Sequence, residues 1–215
     1  MRSPGSLDLV NLHRVLALAL DPGLILQAQG LTPDPWQREL LLSGDRQILL
    51  NCSRQSGKST VVAALALHTA LFTPAGLVLL LSPSLRQSFE IFRKVLHAWH
   101  TLGRPLASGH ATQSRLELAH GARVVCLPGR EETIRSFGGV NLLVLDEAAR
   151  IPDDLYRSVR PMLAVSRGRL VALSTPFGRR GWYYEEWEGA GPAREKGQSA
   201  LKRQRSLATQ RRRSE

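Results

Sequence analysis

Ser53-Arg54-Gln55-Ser56-Gly57-Lys58-Ser59-Thr60 closes with one glycine, one lysine and two hydroxyls in a row. Those types suit a phosphate anion. Successive backbone N–H groups at the opening of a helix form an anion nest. Gly57 lets the chain come close, Lys58 puts a point charge on β/γ-phosphates, and Ser59 can ligate Mg2+. The usual pattern is a glycine, four residues, then Gly-Lys-Ser/Thr. Here Cys52 stands at the first glycine position, so the match is partial. The plainer alternative is a polar turn that opens a helix. Farther along, Leu142-Leu143-Val144-Leu145 runs into Asp146-Glu147. At the carboxyl end of a strand, Asp146 would hold Mg2+ through water, and Glu147 would be the general base that deprotonates an attacking water. Alone, two acids at a helix start answer equally well to the helix dipole. The loop upstream favours nucleotide chemistry.

Such residues need a sheet to hold them. Apolar runs at 47–51, 77–81, 142–145 and 169–173 read as buried strands. Residues 61–72 are apolar nearly all round, as in a helix packed on a sheet. Leu85, Phe89, Phe92, Leu96 and Trp99 recur at steps of three or four, an amphipathic helix that ends by Gly103. Residues 115–127 read as a hairpin turning at His120-Gly121. Helices are also expected over 7–20, over 36–42 and over 152–165, the last with Pro152 in its first turn. Strands separated by helices imply an α/β fold, a mainly parallel sheet with helices on both faces.

The 215 residues carry 29 Lys or Arg against 18 Asp or Glu, a net +11, and 43% are hydrophobic. A sizeable core can form, and wholesale disorder is excluded. Two cysteines exclude a disulfide-framed secreted scaffold, and Cys52 and Cys126 read as core residues rather than a pair. No apolar run approaches the ~20 residues of a membrane span. The histidines show no zinc-ligand spacing, and His97 and His100 read as one helix face. A soluble, cytosolic protein is expected. The charge is uneven. Residues 192–215 hold eight Lys or Arg against Glu195 and Glu215, and read as a disordered basic tail that attracts phosphate polymers. Before that segment only Lys58 and Lys94 are lysines, so each lysine needs a reason to be there.

Together these pieces resemble the large subunit of tailed-phage DNA-packaging terminase. The phosphate loop has that family's form, with Arg54-Gln55 inside it and no leading glycine. Asp34-Pro35-Trp36-Gln37 resembles the adenine motif, Ser82 to Ser88 the segment after the second strand, and Leu143 to Ala149 the acidic strand. Ser174-Thr175-Pro176-Phe177-Gly178 resembles the coupling motif, and Gly181-Trp182-Tyr183-Tyr184 the aromatic run after it.

The resemblance implies a P-loop NTPase with a RecA-like core, which hydrolyses ATP with Mg2+ to drive double-stranded DNA into a preformed capsid. Ser53, Arg54, Gln55, Ser56, Gly57, Lys58, Ser59 and Thr60 would cradle the triphosphate, and Gln37 would read the base. Arg54 would stand near the γ-phosphate as a cis-acting arginine. Ser174, Thr175 and Pro176 would sense the γ-phosphate and pass its loss to domain movement. Ser59 and Asp146 would hold Mg2+. Read without the family, Arg54 is a surface arginine, Gln37 a solvated helix residue and Pro176 the end of a strand. The implied partners are DNA, the capsid portal protein, the terminase small subunit and further copies in a ring. In such a ring Arg150, Arg157 or Arg160 would be candidates to reach a neighbour's nucleotide. The implied location is the host-cell cytoplasm, for a phage or prophage product.

The family's large subunit continues into a nuclease with an acidic two-metal site. Here only Glu195 and Glu215 follow Glu188, so no nuclease activity is expected. Ala193 to Glu215 resembles nothing in the family, which suggests a frameshifted or prematurely ended gene. The expected organisation is an N-terminal helical extension over 1–30, an ATPase domain over 31–190 and the tail over 191–215. Two other functions compete. One is a superfamily 2 helicase-like fragment, for whose second RecA-like domain there is no room. The other is a catalytically idle remnant that binds DNA or the portal. The aromatic cluster Trp182-Tyr183-Tyr184-Trp187 is expected to pack against a lost or neighbouring domain rather than to stack bases.

Overall fold

Each apolar run becomes a strand whose alternate residues enter two different apolar layers. A computed structural model of the chain describes residues 9–128, 134, 137–189 and 201–204. Helices α1 (Leu9–Leu20), α2 (Leu24–Gln27) and α3 (Pro35–Leu42) precede β1 (Gln47–Asn51), α4 (Lys58–Phe72), β2 (Leu77–Ser82) and α5 (Leu85–Thr101). Then come β3 (Ser108–Ala111), β4 (Arg115–Leu118), β5 (Arg123–Pro128) and β6 (Val140–Asp146). A 3-10 turn (Ala148–Arg150), α6 (Asp153–Ser166), β7 (Arg169–Ser174), α7 (Gly181–Glu188) and β8 (Leu201–Gln204) follow.

The strands form one sheet in the order β3-β4-β5-β2-β6-β7-β1-β8. All pairs from β5 to β8 are parallel, while β3–β4 and β4–β5 are antiparallel. Ile48, Leu50, Val78, Leu80, Leu142, Val144, Val171 and Leu173 face one core with α4 and α5. Leu49, Leu79, Leu143, Leu145, Leu170 and Ala172 face the other, with α6 and α7. Helices therefore cover both faces, as the sequence pattern implies.

The sequence reading and the structure differ at the margins. α4 starts at Lys58, not 61, because Gly57 turns the polar Lys58-Ser59-Thr60 directly into the first helical turn. β3 has no apolar pattern, since all four of its residues are exposed at the sheet edge. The segment before residue 30 shares the main core: Leu18, Ile25 and Leu26 are buried in the α4–α5 layer, and His68 Nε2 donates to the carbonyls of Leu18 at 3.1 Å and Ala19 at 3.2 Å. Within the region read as a disordered tail, 201–204 form β8, parallel to β1. A polar edge strand carries no periodic apolar signal; its place is set by the otherwise open edge of β1. The rest of the tail lies outside the described residues.

Candidate functional site

The carboxyl ends of β1, β7 and β6 stand side by side, and the three segments that leave them meet. Leaving β1, Cys52 still belongs to the ladder, its N–H donating to the Ser174 carbonyl at 2.9 Å. Its φ is not left-handed, so a position usually given to glycine accepts a side chain here. The left-handed residues of the loop are Gln55 (φ 60°) and Gly57 (φ 77°). Ser56 Oγ donates to the Ser53 carbonyl at 2.9 Å and closes the turn. The left-handed backbone favours glycine at 57, and a Cβ there would stand 2.6 Å from Gln37 Nε2 and push that amide aside.

Gln37 is the third residue of α3 and is nearly buried. Its Oε1 accepts the Asp34 N–H at 3.0 Å, half of a capping box. Its Nε2 donates to the Ser56 carbonyl at 3.3 Å. Gln37 thus braces the phosphate loop, a contact the sequence did not reveal. One amide hydrogen and one oxygen lone pair remain for another partner.

Lys58 Nζ lies 3.1 Å from Glu147 Oε1, with the lysine side chain 10% exposed. Thr175 Oγ1 donates to Glu147 Oε2 at 3.0 Å. Burial pulls the Glu147 carboxyl upward. The Lys58 ammonium, as donor and as charge, and Thr175 outweigh it and hold the carboxyl below its ordinary value. Glu147 itself has left-handed backbone (φ 49°, ψ 43°), an unusual state for a residue with a Cβ, and this turns the chain sharply after β6.

Asp146 is buried on the α4–α5 side of the sheet, and its Oδ1 has no hydrogen-bond partner. Burial, then the Glu147 charge, push its carboxyl up to about 6 against the pull of Lys58. A buried carboxylate oxygen without a partner, close to a hydroxyl-bearing helix start, fits a hydrated cation. Lys94, exposed on α5, donates from Nζ to Thr60 Oγ1 at 3.1 Å. Both lysines that precede residue 192 therefore serve this corner. Their scarcity was the one signal that could have found Lys94.

Ser174 Oγ donates to the Thr175 carbonyl at 2.9 Å and accepts the Ala149 N–H at 3.2 Å. Ser174 and Thr175 are buried and tie β7 to the turn after β6, whereas Pro176 is exposed. Arg54 is exposed at the loop tip, and Ser59 is half-buried in the first turn of α4. Arg160 stands 3.8 Å from the buried Glu186 and over the Tyr156 ring, so it is held inside the subunit, while Arg150 and Arg157 are exposed. Trp182 stacks on Tyr156 (3.8 Å between centroids, 11°), and its Nε1 donates to the Ile151 carbonyl at 3.0 Å. Tyr183 Oη donates to the Leu50 carbonyl at 2.7 Å. The aromatic cluster packs, as expected, but into this domain's own core. Cys52 and Cys126 are free and pack against the α4–α5 core or within it.

A family model described as terminase large subunit, T4likevirus-type, N-terminal, matches residues 49–211. The chain belongs to that family. The match corrects one expectation, since it runs through most of the segment read as unlike terminases. The terminase large subunit of Thermus phage G20c is 29% identical over a stretch covering 61% of this chain and 31% of that protein. The chain thus spans about a third of that relative's length. The large terminase ATPase domain of Thermus phage P74-26 has a TM-score of 0.68 at 22% identity, covering 78% of this chain and 74% of that one. The large terminase of another thermophilic bacteriophage, in complex with ADP, has a TM-score of 0.59 at 12% identity, covering 71% of this chain and 41% of that one. The shared fold is the RecA-like, P-loop type of terminase ATPase domains.

Proposed function

We propose that this chain is the ATP-hydrolysing motor part of a terminase large subunit, working to move double-stranded DNA into a capsid. One observation carries the reading. Lys58, Glu147 and Thr175 come from three separate strand ends and are joined by hydrogen bonds beside a left-handed glycine loop, in a chain of the terminase family. The ADP complex of the thermophilic phage's large terminase supports a nucleotide as ligand.

The residues divide the work as follows. The backbone N–H groups after Ser53 and the Lys58 ammonium take the phosphates. When Lys58 turns to them, Glu147 loses the cation that holds its carboxyl low and becomes a better base for a water. Thr175 keeps the other carboxylate oxygen in place. With Ser174 and Pro176, it passes a change at the γ-phosphate to the turn after β6. Gln37 offers its remaining hydrogen and lone pair to the base, and Arg54 offers its charge to the γ-phosphate. Ser59 and Asp146 would hold Mg2+, which when bound supplies charge neutralisation for the phosphate oxygens. The proposed setting is a ring of copies on the capsid portal, with the small subunit, in the host cytoplasm. DNA cleavage is not part of the proposed activity, and plasmid DNA with Mg2+ should stay intact.

The deciding experiment is ATP hydrolysis by the purified chain with and without duplex DNA. Glu147→Gln should bind ATP yet turn it over slower by about a hundredfold or more. Retained turnover would move the base elsewhere. ATP bound by the wild type but never hydrolysed would leave an idle remnant.

A further inference from the structure

Directly beyond the nucleotide site, two turns carry a set of exposed arginines to the surface. The guanidinium of Arg150 lies 4.1 Å from the centroid of the Phe177 ring, and that of Arg180 lies 5.2 Å from the same centroid. Arg179 is exposed beside them, as are Pro176 and Gly178. Among the described residues none of these arginines has an ion-pair partner. The nearby acids face other duties or water. Asp153 Oδ1 accepts the Trp182 N–H at 3.0 Å, and Asp154 is exposed in the first turn of α6. Two like charges gathered on one ring, neither paired with a carboxylate among the described residues, suit an anion that both can reach.

We propose that Arg150, Arg179 and Arg180, gathered around Phe177, form a contact surface for the phosphate backbone of duplex DNA. This rests on the reading of the chain as a DNA-packaging motor. One observation favours a duplex over a single strand. The half-buried Phe177 ring is already taken up by guanidiniums, so it is a poor platform for an unpaired base. Arginine forks match phosphate oxygens, and such contacts are indifferent to sequence, as a genome-length substrate requires.

The surface is also wired to the site. Arg150 closes the 3-10 turn that starts at Glu147, its N–H donating to the Glu147 carbonyl at 2.8 Å. Phe177 follows Thr175 by two residues, and Thr175 holds Glu147 Oε2. A second link, from the Ala149 N–H to Ser174 Oγ, joins the same two turns. Nucleotide at Glu147 and DNA at Arg150 therefore act on one pair of turns, and coupling between them is reciprocal.

The test is fluorescence anisotropy with a random-sequence duplex of about thirty base pairs, titrated across a range of KCl, with the full chain. Removing two phosphate contacts should lower the slope of log affinity against log salt by about two. Arg150→Gln with Arg180→Gln should show that fall and lose DNA-stimulated ATP turnover. Arg150→Lys with Arg180→Lys keeps the charges and should restore most of the slope, which separates lost contacts from misfolding. An unchanged slope in the Gln pair, or tighter binding of single strands than of duplex, would overturn the surface. Loss of turnover without DNA in the Gln pair would assign Arg150 to a neighbour's nucleotide instead. A wild-type chain that binds duplex through these arginines but never hydrolyses ATP would keep the surface and remove the motor reading.

Discussion

The interior of the strands and their carboxyl ends are built on opposite terms. Leu142 to Leu145 are all buried and alternate between two apolar layers. One residue later Asp146 is 6% exposed, almost as buried as they are, yet it is ionisable and has an unpartnered oxygen. The same step separates Leu50 from Asn51 and Leu81 from Ser82. Among the described residues, the buried side-chain oxygens without a partner are those of Asn51, Ser82 and Asp146, each the last residue of its strand. The interior is satisfied by apolar contact alone. The edge holds desolvated oxygens, a half-buried ion pair and a left-handed glutamate. Such a state is costly without a ligand and well placed for one.

The sharpest way to break this contrast is at Lys58. Lys58→Ala removes a near-buried charge from the phosphates and leaves Glu147 unpaired. ATP affinity should fall by about a thousandfold, ~4 kcal/mol. Calorimetry giving an unchanged affinity would remove the loop assignment.

Adjacent residues on β6 should then respond with opposite sign. Leu145→Ala opens a cavity in the α6–α7 core and should cost ~3 kcal/mol of stability. Asp146→Asn should stabilise the fold in metal-free buffer. Burial, then the Glu147 charge, push the folded carboxyl up from its ordinary 3.8 to about 6. Between those values the native state binds the proton and the unfolded chain does not, so wild-type stability falls as pH rises through that window. The penalty persists above pH 6, and Asn escapes it by an amount on the order of 3 kcal/mol. Thermal melts in EDTA should show the gain at pH 7.5 and almost none below pH 4. A destabilised Asn variant at pH 7.5 would mean that Asp146 is satisfied in some other way.

The same contrast explains how much could be read from the chain. The interior of β1, β2, β6 and β7 was legible because burial on both faces of the sheet writes itself as short apolar runs. The loop after β1 was legible as a candidate phosphate site because the chemistry it suggests is local, with glycine, lysine and hydroxyls in sequence. What joins the strand ends is not local. The bond from Thr175 to Glu147 spans 28 residues, and that from Gln37 to Ser56 spans 19. No pattern in one sequence marks such pairs. Edge strands escaped for a related reason, since β3 is exposed along its length and leaves no apolar periodicity. Cys52 looked like a defect in the loop, but it directly follows β1, is not left-handed and is held by a backbone bond to Ser174, so it needs no glycine.

The smallest effect is expected at Lys94, which shares the corner with Lys58 but not its burial. A lysine only donates, so Thr60 Oγ1 must accept from it, and the Thr60 hydroxyl hydrogen is left to point elsewhere. Lys94→Ala frees that hydroxyl to rotate and removes an exposed positive charge. Exposed charged pairs contribute little, up to ~1 kcal/mol, so ATP and ADP affinity should both fall by only about threefold. High salt should shrink the difference further, because the side chain stands in water. Equal affinity of Lys94→Ala and wild type at low salt would reduce Lys94 to a brace between α5 and α4. A loss as large as that of Lys58→Ala would show that exposure does not divide the two lysines.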